Sequence, residues 1–156
     1  MFTDRLMGQP GFKPMARRII VPLDLSSVNS ESVYCKIKDL NSNLSLELPN
    51  INYSKLNTLP YKYVYGANIY QNPLSIVKIN VENDAEQWEF KFEKGEIPTE
   101  PVFIENPNPQ SEDDGVLLVM CLATDNDYLL ILDSKDLTEI ARAVLPDEAK
   151  GICFDI

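Results

Sequence analysis

VKINVENDAEQWEFKF, residues 77–92, and LLILDSKDLTEIARAV, residues 129–144, decide the fold. Each reads as a strand, a polar turn (Glu82-Asn83-Asp84 or Ser134-Lys135-Asp136) and a second strand, and the two are offset by 52 residues, Val77 to Leu129. Upstream of each unit a Glu stands beside a Pro, in Leu46-Glu47-Leu48-Pro49 and in Thr99-Glu100-Pro101-Val102, offset by 53 residues. Two independent features therefore share one period. All-β repeats of about 40 to 50 residues mark the blades of a propeller, each a four-stranded antiparallel sheet, with a β-sandwich as the rival architecture. A propeller closes with about four to eight blades, and this chain holds material for about two.

The rest of the chain reads the same way. Alternating runs at Tyr61-Lys62-Tyr63-Val64-Tyr65, Val77-Lys78-Ile79-Asn80-Val81 and Trp88-Glu89-Phe90-Lys91-Phe92 predict strands with one buried face. Two continuous apolar runs, Val116 to Leu122 and Tyr128 to Leu132, flank Thr124-Asp125-Asn126-Asp127 and predict a hairpin of interior strands. Glu105-Asn106-Pro107-Asn108-Pro109 and the acidic Glu112-Asp113-Asp114-Gly115 read as a solvated loop ahead of a strand. Helical periodicity is nearly absent, so the fold class is all-β.

A chain of 156 residues, 44% hydrophobic and 24% charged, has the composition of a globular protein with one core. Its net charge of -10 repels phosphate backbones, which argues against nucleic acid as a partner. No run approaches the roughly 20 apolar residues of a membrane span, and the N-terminus lacks the apolar core of a secretory signal. Met1 to Arg18 carries Arg5, Lys13, Arg17 and Arg18 against Asp4, as a mitochondrial presequence would, but Gly8, Pro10, Gly11 and Pro14 break the helix such a presequence needs. A cytoplasmic location is expected, with residues 1–16 an irregular extension and 17–156 the folded part. Cys35, Cys121 and Cys153 are odd in number and far apart, which indicates neither a disulfide framework nor a zinc site. Cys35 and Cys121 read as buried free thiols.

Glu47-Leu48-Pro49-Asn50-Ile51-Asn52-Tyr53, Pro60-Tyr61-Lys62-Tyr63-Val64-Tyr65-Gly66 and Pro98-Thr99-Glu100-Pro101-Val102-Phe103-Ile104 follow one another in the chain. After them come Glu112-Asp113-Asp114-Gly115-Val116-Leu117-Leu118, Leu129-Leu130-Ile131-Leu132-Asp133-Ser134-Lys135-Asp136-Leu137 and Ala141-Arg142-Ala143-Val144-Leu145-Pro146. These six blocks, in this order, resemble the C-terminal portion of the carotenoid cleavage oxygenases. The animal branch, with the β-carotene oxygenases and the retinoid isomerohydrolase, is the nearest likeness. The resemblance implies a seven-bladed propeller with iron(II) on its axis, held by four histidines. It implies oxidative cleavage of a conjugated double bond in a carotenoid or retinoid. Glu47 and Glu100 stand at two positions where the family's glutamates accept the N–H of an iron-bound imidazole, fixing its tautomer and raising its basicity.

The chain departs from that pattern in one decisive respect: it contains no histidine. Three of the family's ligands belong to blades upstream, and the fourth to an element after Ala141-Arg142-Ala143, where this chain reads on to Ile152-Cys153-Phe154. Cys153 stands nearest that position, but a lone thiolate cannot assemble an iron site. The expectation is a partial propeller of about two blades, inactive alone and binding no iron, from a truncated or alternatively spliced product or a gene model missing exons at both ends. Self-association through open sheet edges is expected, with membrane association left to regions beyond this chain. The alternative is a non-enzymatic β-rich binding or regulatory module built on the same scaffold.

Overall fold

The computed structural model describes residues 14–23, 34–40, 43–83 and 85–146. Eleven strands run through them: β1 (Arg17–Ile20), β2 (Lys36–Asp39), β3 (Glu47–Asn50), β4 (Tyr63–Asn68), β5 (Ser75–Asn80), β6 (Gln87–Lys91), β7 (Glu96–Pro98), β8 (Val102–Glu105), β9 (Gly115–Ala123), β10 (Tyr128–Asp133) and β11 (Glu139–Val144). The one helix among the described residues, α1 (Tyr53–Leu56), is a single turn.

β3, β4, β5 and β6 form a four-stranded antiparallel sheet in sequence order. In the second sheet β9, β10 and β11 follow one another, and β7 and β8 share the remaining edge of β9. Taking β7 and β8 as one interrupted strand, both sheets are four-step meanders, which is the build of a propeller blade. The sequence repeat maps onto them, since Gln87 opens β6 and Glu139 opens β11, 52 residues apart. The fold is all-β, and the sheets are two consecutive propeller blades.

The blades are held face to face by alternate residues of their middle strands. Tyr65, Ala67 and Ile76 from the first meet Leu117, Val119, Leu130 and Leu132 from the second, all essentially removed from water. Burying each Leu, Ile or Val there is worth about 1.5–3 kcal/mol. On the far face of the first blade Val64, Val77, Ile79 and Val81 pack with Leu40 and Leu46. This corrects the reading of Val77–Val81 as half-exposed: all six residues of β5 are buried, because one face meets the second blade and the other meets the chain around Leu40 and Ala16. β11 is the opposite case, with all six residues exposed.

The predicted hairpin is present as β9 and β10, while the strand expected from Tyr61 begins at Tyr63. Cys121 is a buried free thiol, as read from the sequence. Cys35 is exposed, contrary to that reading, because it leads into a two-stranded ribbon in which β2 pairs only with β1 and every β2 residue faces solvent. Cys153 lies outside the described residues.

Candidate functional site

Glu47 and Glu100 occupy equivalent defects in the first strands of the two blades. Glu47 pairs with Ala67 and Asn50 with Tyr65, so three steps along β3 are matched by two along β4. Pro98 pairs with Cys121 and Val102 with Leu118, so four steps are matched by three along β9. Each first strand therefore carries one extra residue, a β-bulge; Glu47 is the paired residue at the edge of the first, and Glu100 lies inside the second, between Thr99 and Val102. In the first blade Leu48 takes up the irregularity with φ 51°. In the second the ladder continues through Thr99, whose N–H donates to the Met120 carbonyl at 2.9 Å, until Glu100-Pro101 interrupts it. Bulges bend a strand and re-aim side chains, and they concentrate beside active sites.

The first bulge also needs Gly66. A Cβ there would stand 2.7 Å from the Glu47 carbonyl oxygen and 2.7 Å from Leu46 Cγ. Only a residue without a side chain lets β4 pass that close.

Glu47 is half-buried and Glu100 exposed, and neither carboxylate has an ion-pair or hydrogen-bond partner among the described residues. A cleft of about 650 Å³ is walled by Pro49, Asn50 and Ile51 after the first bulge and by Glu100 from the second. Glu100 and the strand that Glu47 opens thus border one space. The cleft's wall is otherwise largely apolar, with Leu46, Val64 and Ile79 in it.

Sequence reasoning missed a second constellation, centred on Lys78. Its side chain is fully buried between the blades, and its ammonium donates to Asp113 Oδ2 at 2.6 Å and to the Lys135 carbonyl at 2.7 Å. The same nitrogen lies 4.1 Å from the centre of the Tyr63 ring and 4.6 Å from that of Trp88, within cation–π range. Burial pulls the Lys78 pKa down, while Asp113 opposes it. Burial pushes Asp113 up, but its hydrogen bonds from Lys78 and Ser111 outweigh this and hold it below the usual carboxylate range. The register contained the clue: Lys78 pairs with Tyr65 and Trp88, so it shares the face of the buried aromatic side chains and not the wet one.

The acidic loop read as solvated is likewise engaged. Glu112 Oε1 accepts the N–H groups of Lys62 and Tyr63, both at 2.8 Å, at the point where β4 begins. Asp114 accepts the Gln110 N–H at 2.8 Å and pairs with Lys135 at 3.0 Å. Nearby, Asn52 donates to Glu105 Oε1 at 2.7 Å, a contact between residues 53 apart.

The family model described as retinal pigment epithelial membrane protein matches residues 3–152. Rat β,β-carotene 15,15'-dioxygenase is 39% identical over 72% of this chain and 20% of its own length. The chain belongs to this family, the carotenoid cleavage oxygenases. The mitochondrial carotenoid-cleaving dioxygenase of Mustela putorius furo is 34% identical over 70% of the chain and 20% of its own length. Among solved structures, a cobalt-substituted Synechocystis ACO aligns with TM-score 0.63 and 27% identity, covering 72% of this chain and 25% of that one. A mutant of Synechocystis apocarotenoid oxygenase gives TM-score 0.63 and 28% identity over 71% and 24%. This oxygenase-family chain spans about a fifth of the length of the curated relatives it matches.

Its residues do not fit an iron held by imidazoles. The sequence supplies no histidine, and no group of three or more Cys, Asp or Glu side chains among the described residues is arranged to hold a metal ion.

Proposed function

We propose that this chain supplies two blades and two orienting glutamates to a carotenoid cleavage dioxygenase scaffold, as its C-terminal part, and that alone it holds no iron(II) and cleaves no carotenoid. The observation that carries the reading is the pair of unpartnered glutamates at strand bulges in consecutive blades, with Glu100 lining a cleft whose opposite wall, Pro49 to Ile51, follows Glu47 in its strand. A carboxylate there can take an imidazole N–H once a histidine from elsewhere in the scaffold is opposite it. The substrate class, a carotenoid or apocarotenoid on the route to retinoids, is carried over from the relatives. So is the iron. We take 17–156 as the scaffold portion and 1–16 as an extension, in a cytoplasmic protein whose membrane contacts lie in other regions. No helix among the described residues is long and apolar enough to cross a membrane.

The absence of histidine favours the second reading, a β-rich binding or regulatory module, for the chain acting by itself. One experiment separates the two roles. Residues 17–146 replace the matching stretch of rat β,β-carotene 15,15'-dioxygenase, and iron content and product formation from β-carotene are measured. Glu100→Ala in that chimera leaves a ring N–H without its acceptor and lowers metal affinity or activity by about 10- to 100-fold. Glu100→Gln, which keeps an acceptor oxygen, is milder. The exposed Glu93→Ala is the control. If Glu100→Ala matches Glu93→Ala in both measurements, the orienting role is wrong.

A further inference from the structure

We infer that Lys78 and the acidic loop 110–114 form a latch that couples the two blades into one cooperative unit, with the Lys78 ammonium as its pin.

A fully buried lysine is costly to desolvate, so its retention calls for specific partners. Its aromatic neighbours Tyr63 and Trp88 belong to its own blade, but both of its hydrogen-bond acceptors lie in the other. Lys78 projects from β5, and its two hydrogen-bond acceptors are Asp113, from the loop between β8 and β9, and Lys135, from the turn between β10 and β11. Those two segments are tied to each other: Ser134 Oγ donates to the Asp113 carbonyl at 2.7 Å, and Lys135 pairs with Asp114. The pin thus enters a socket whose two walls belong to the second blade and are bonded to each other. Next to Asp113, Glu112 takes the two backbone N–H groups of Lys62 and Tyr63, so the same loop grips β4 as well as β5. Tyr65 adds a third crossing, its hydroxyl donating to the Ser134 carbonyl at 3.2 Å. Hydrophobic packing alone would let the sheets slide, being non-directional. The ammonium, carboxylate and carbonyl fix one register between them.

Removing the pin leaves Asp113 half-buried without its counter-charge, and the loop that carries Glu112 then loses its anchor. The reporters are the Lys62 and Tyr63 amides, which never touch Lys78 through a hydrogen bond. Native-state hydrogen exchange on Lys78→Met, which keeps the apolar stem, should show these two amides exchanging about 10- to 100-fold faster, the scale of a charged hydrogen bond, while far-UV circular dichroism stays that of the wild type. Asp113→Asn, which keeps an acceptor oxygen, should give a smaller acceleration of the same amides. If Lys78 served only to fill space among Tyr63, Tyr65 and Trp88, methionine would fill it as well and both amides would keep their protection, which overturns the latch. Should Lys78→Met fail to fold, Asp113→Asn decides on the same criterion. The wild-type chain gives an independent arm: the Val77 and Ile79 amides of the first blade and the Leu130 and Leu132 amides of the second should merge into one opening as denaturant is raised. Two separate openings, one per blade, would overturn the inference.

Discussion

Gly66 shows how much one atom controls in this chain. Its Cα passes the bulge at Glu47 with no room for a methyl group, the nearest neighbours being a backbone oxygen and the branched carbon of Leu46. Gly66→Ala should therefore destabilise the fold by about 1–3 kcal/mol, the usual cost of overpacking, read as a lower urea midpoint with unchanged slope. A midpoint within error of the wild type would mean that the bulge yields freely, and with it the placement of Glu47. Lys78 is the complementary case, and it marks where sequence reading stops. The placement of Glu47 and Glu100 in the first strands of two successive units was legible, because a repeat and motif order are properties of the string. Lys78 was not, since Val-Lys-Ile-Asn-Val looks like a strand with a wet face until a second sheet covers that face. Burial of this kind is decided by what arrives from 35 and 57 residues further along.

The strands divide into those that carry the fold and those that only extend it. β10 alternates buried and half-buried residues, with Leu130 and Leu132 fully buried in the interblade core, whereas β11, its neighbour, is exposed throughout. Leu130→Ala should accordingly cost about 2–5 kcal/mol. Ile140→Ala in β11, at 56% exposure, should stay within about 0.5 kcal/mol. Equal losses in chemical denaturation would contradict the packing described. Strand existence was plain in the sequence because the apolar runs and turn residues agree. The interruption between β7 and β8 was not, as Pro98-Thr99-Glu100-Pro101 reads equally as a loop. Only the pairing of both pieces along β9 makes them one bulged strand.

At the scale of the whole molecule, charge and exposed apolar surface set the behaviour. Asp113, Asp114, Glu105, Glu96 and Asp136 are all held below their usual range, mainly by hydrogen bonds that prefer the carboxylate. A depressed folded-state pKa gives stability that is present above the unfolded value, near 4, and is lost as pH falls through the folded one. The urea midpoint should therefore drop between pH 5 and pH 3, steeply if the interblade groups dominate and weakly in high salt if the exposed ones do. A midpoint independent of pH across that window would remove these carboxylates from the stability of the fold. Ile97, Ile104, Ile140 and Val144 leave aliphatic surface open on the second blade, and self-association in sedimentation is the expected consequence. The latch has a further consequence for how the chain is made. Lys78 leaves the ribosome 35 residues ahead of Asp113 and 57 ahead of the Lys135 carbonyl. At about 5–20 residues per second, the first blade waits roughly 2–7 s for its counter-charge. Throughout that interval the first blade exposes the face that the second will cover, so nascent chains halted before Asp113 are where chaperone capture or early degradation should concentrate.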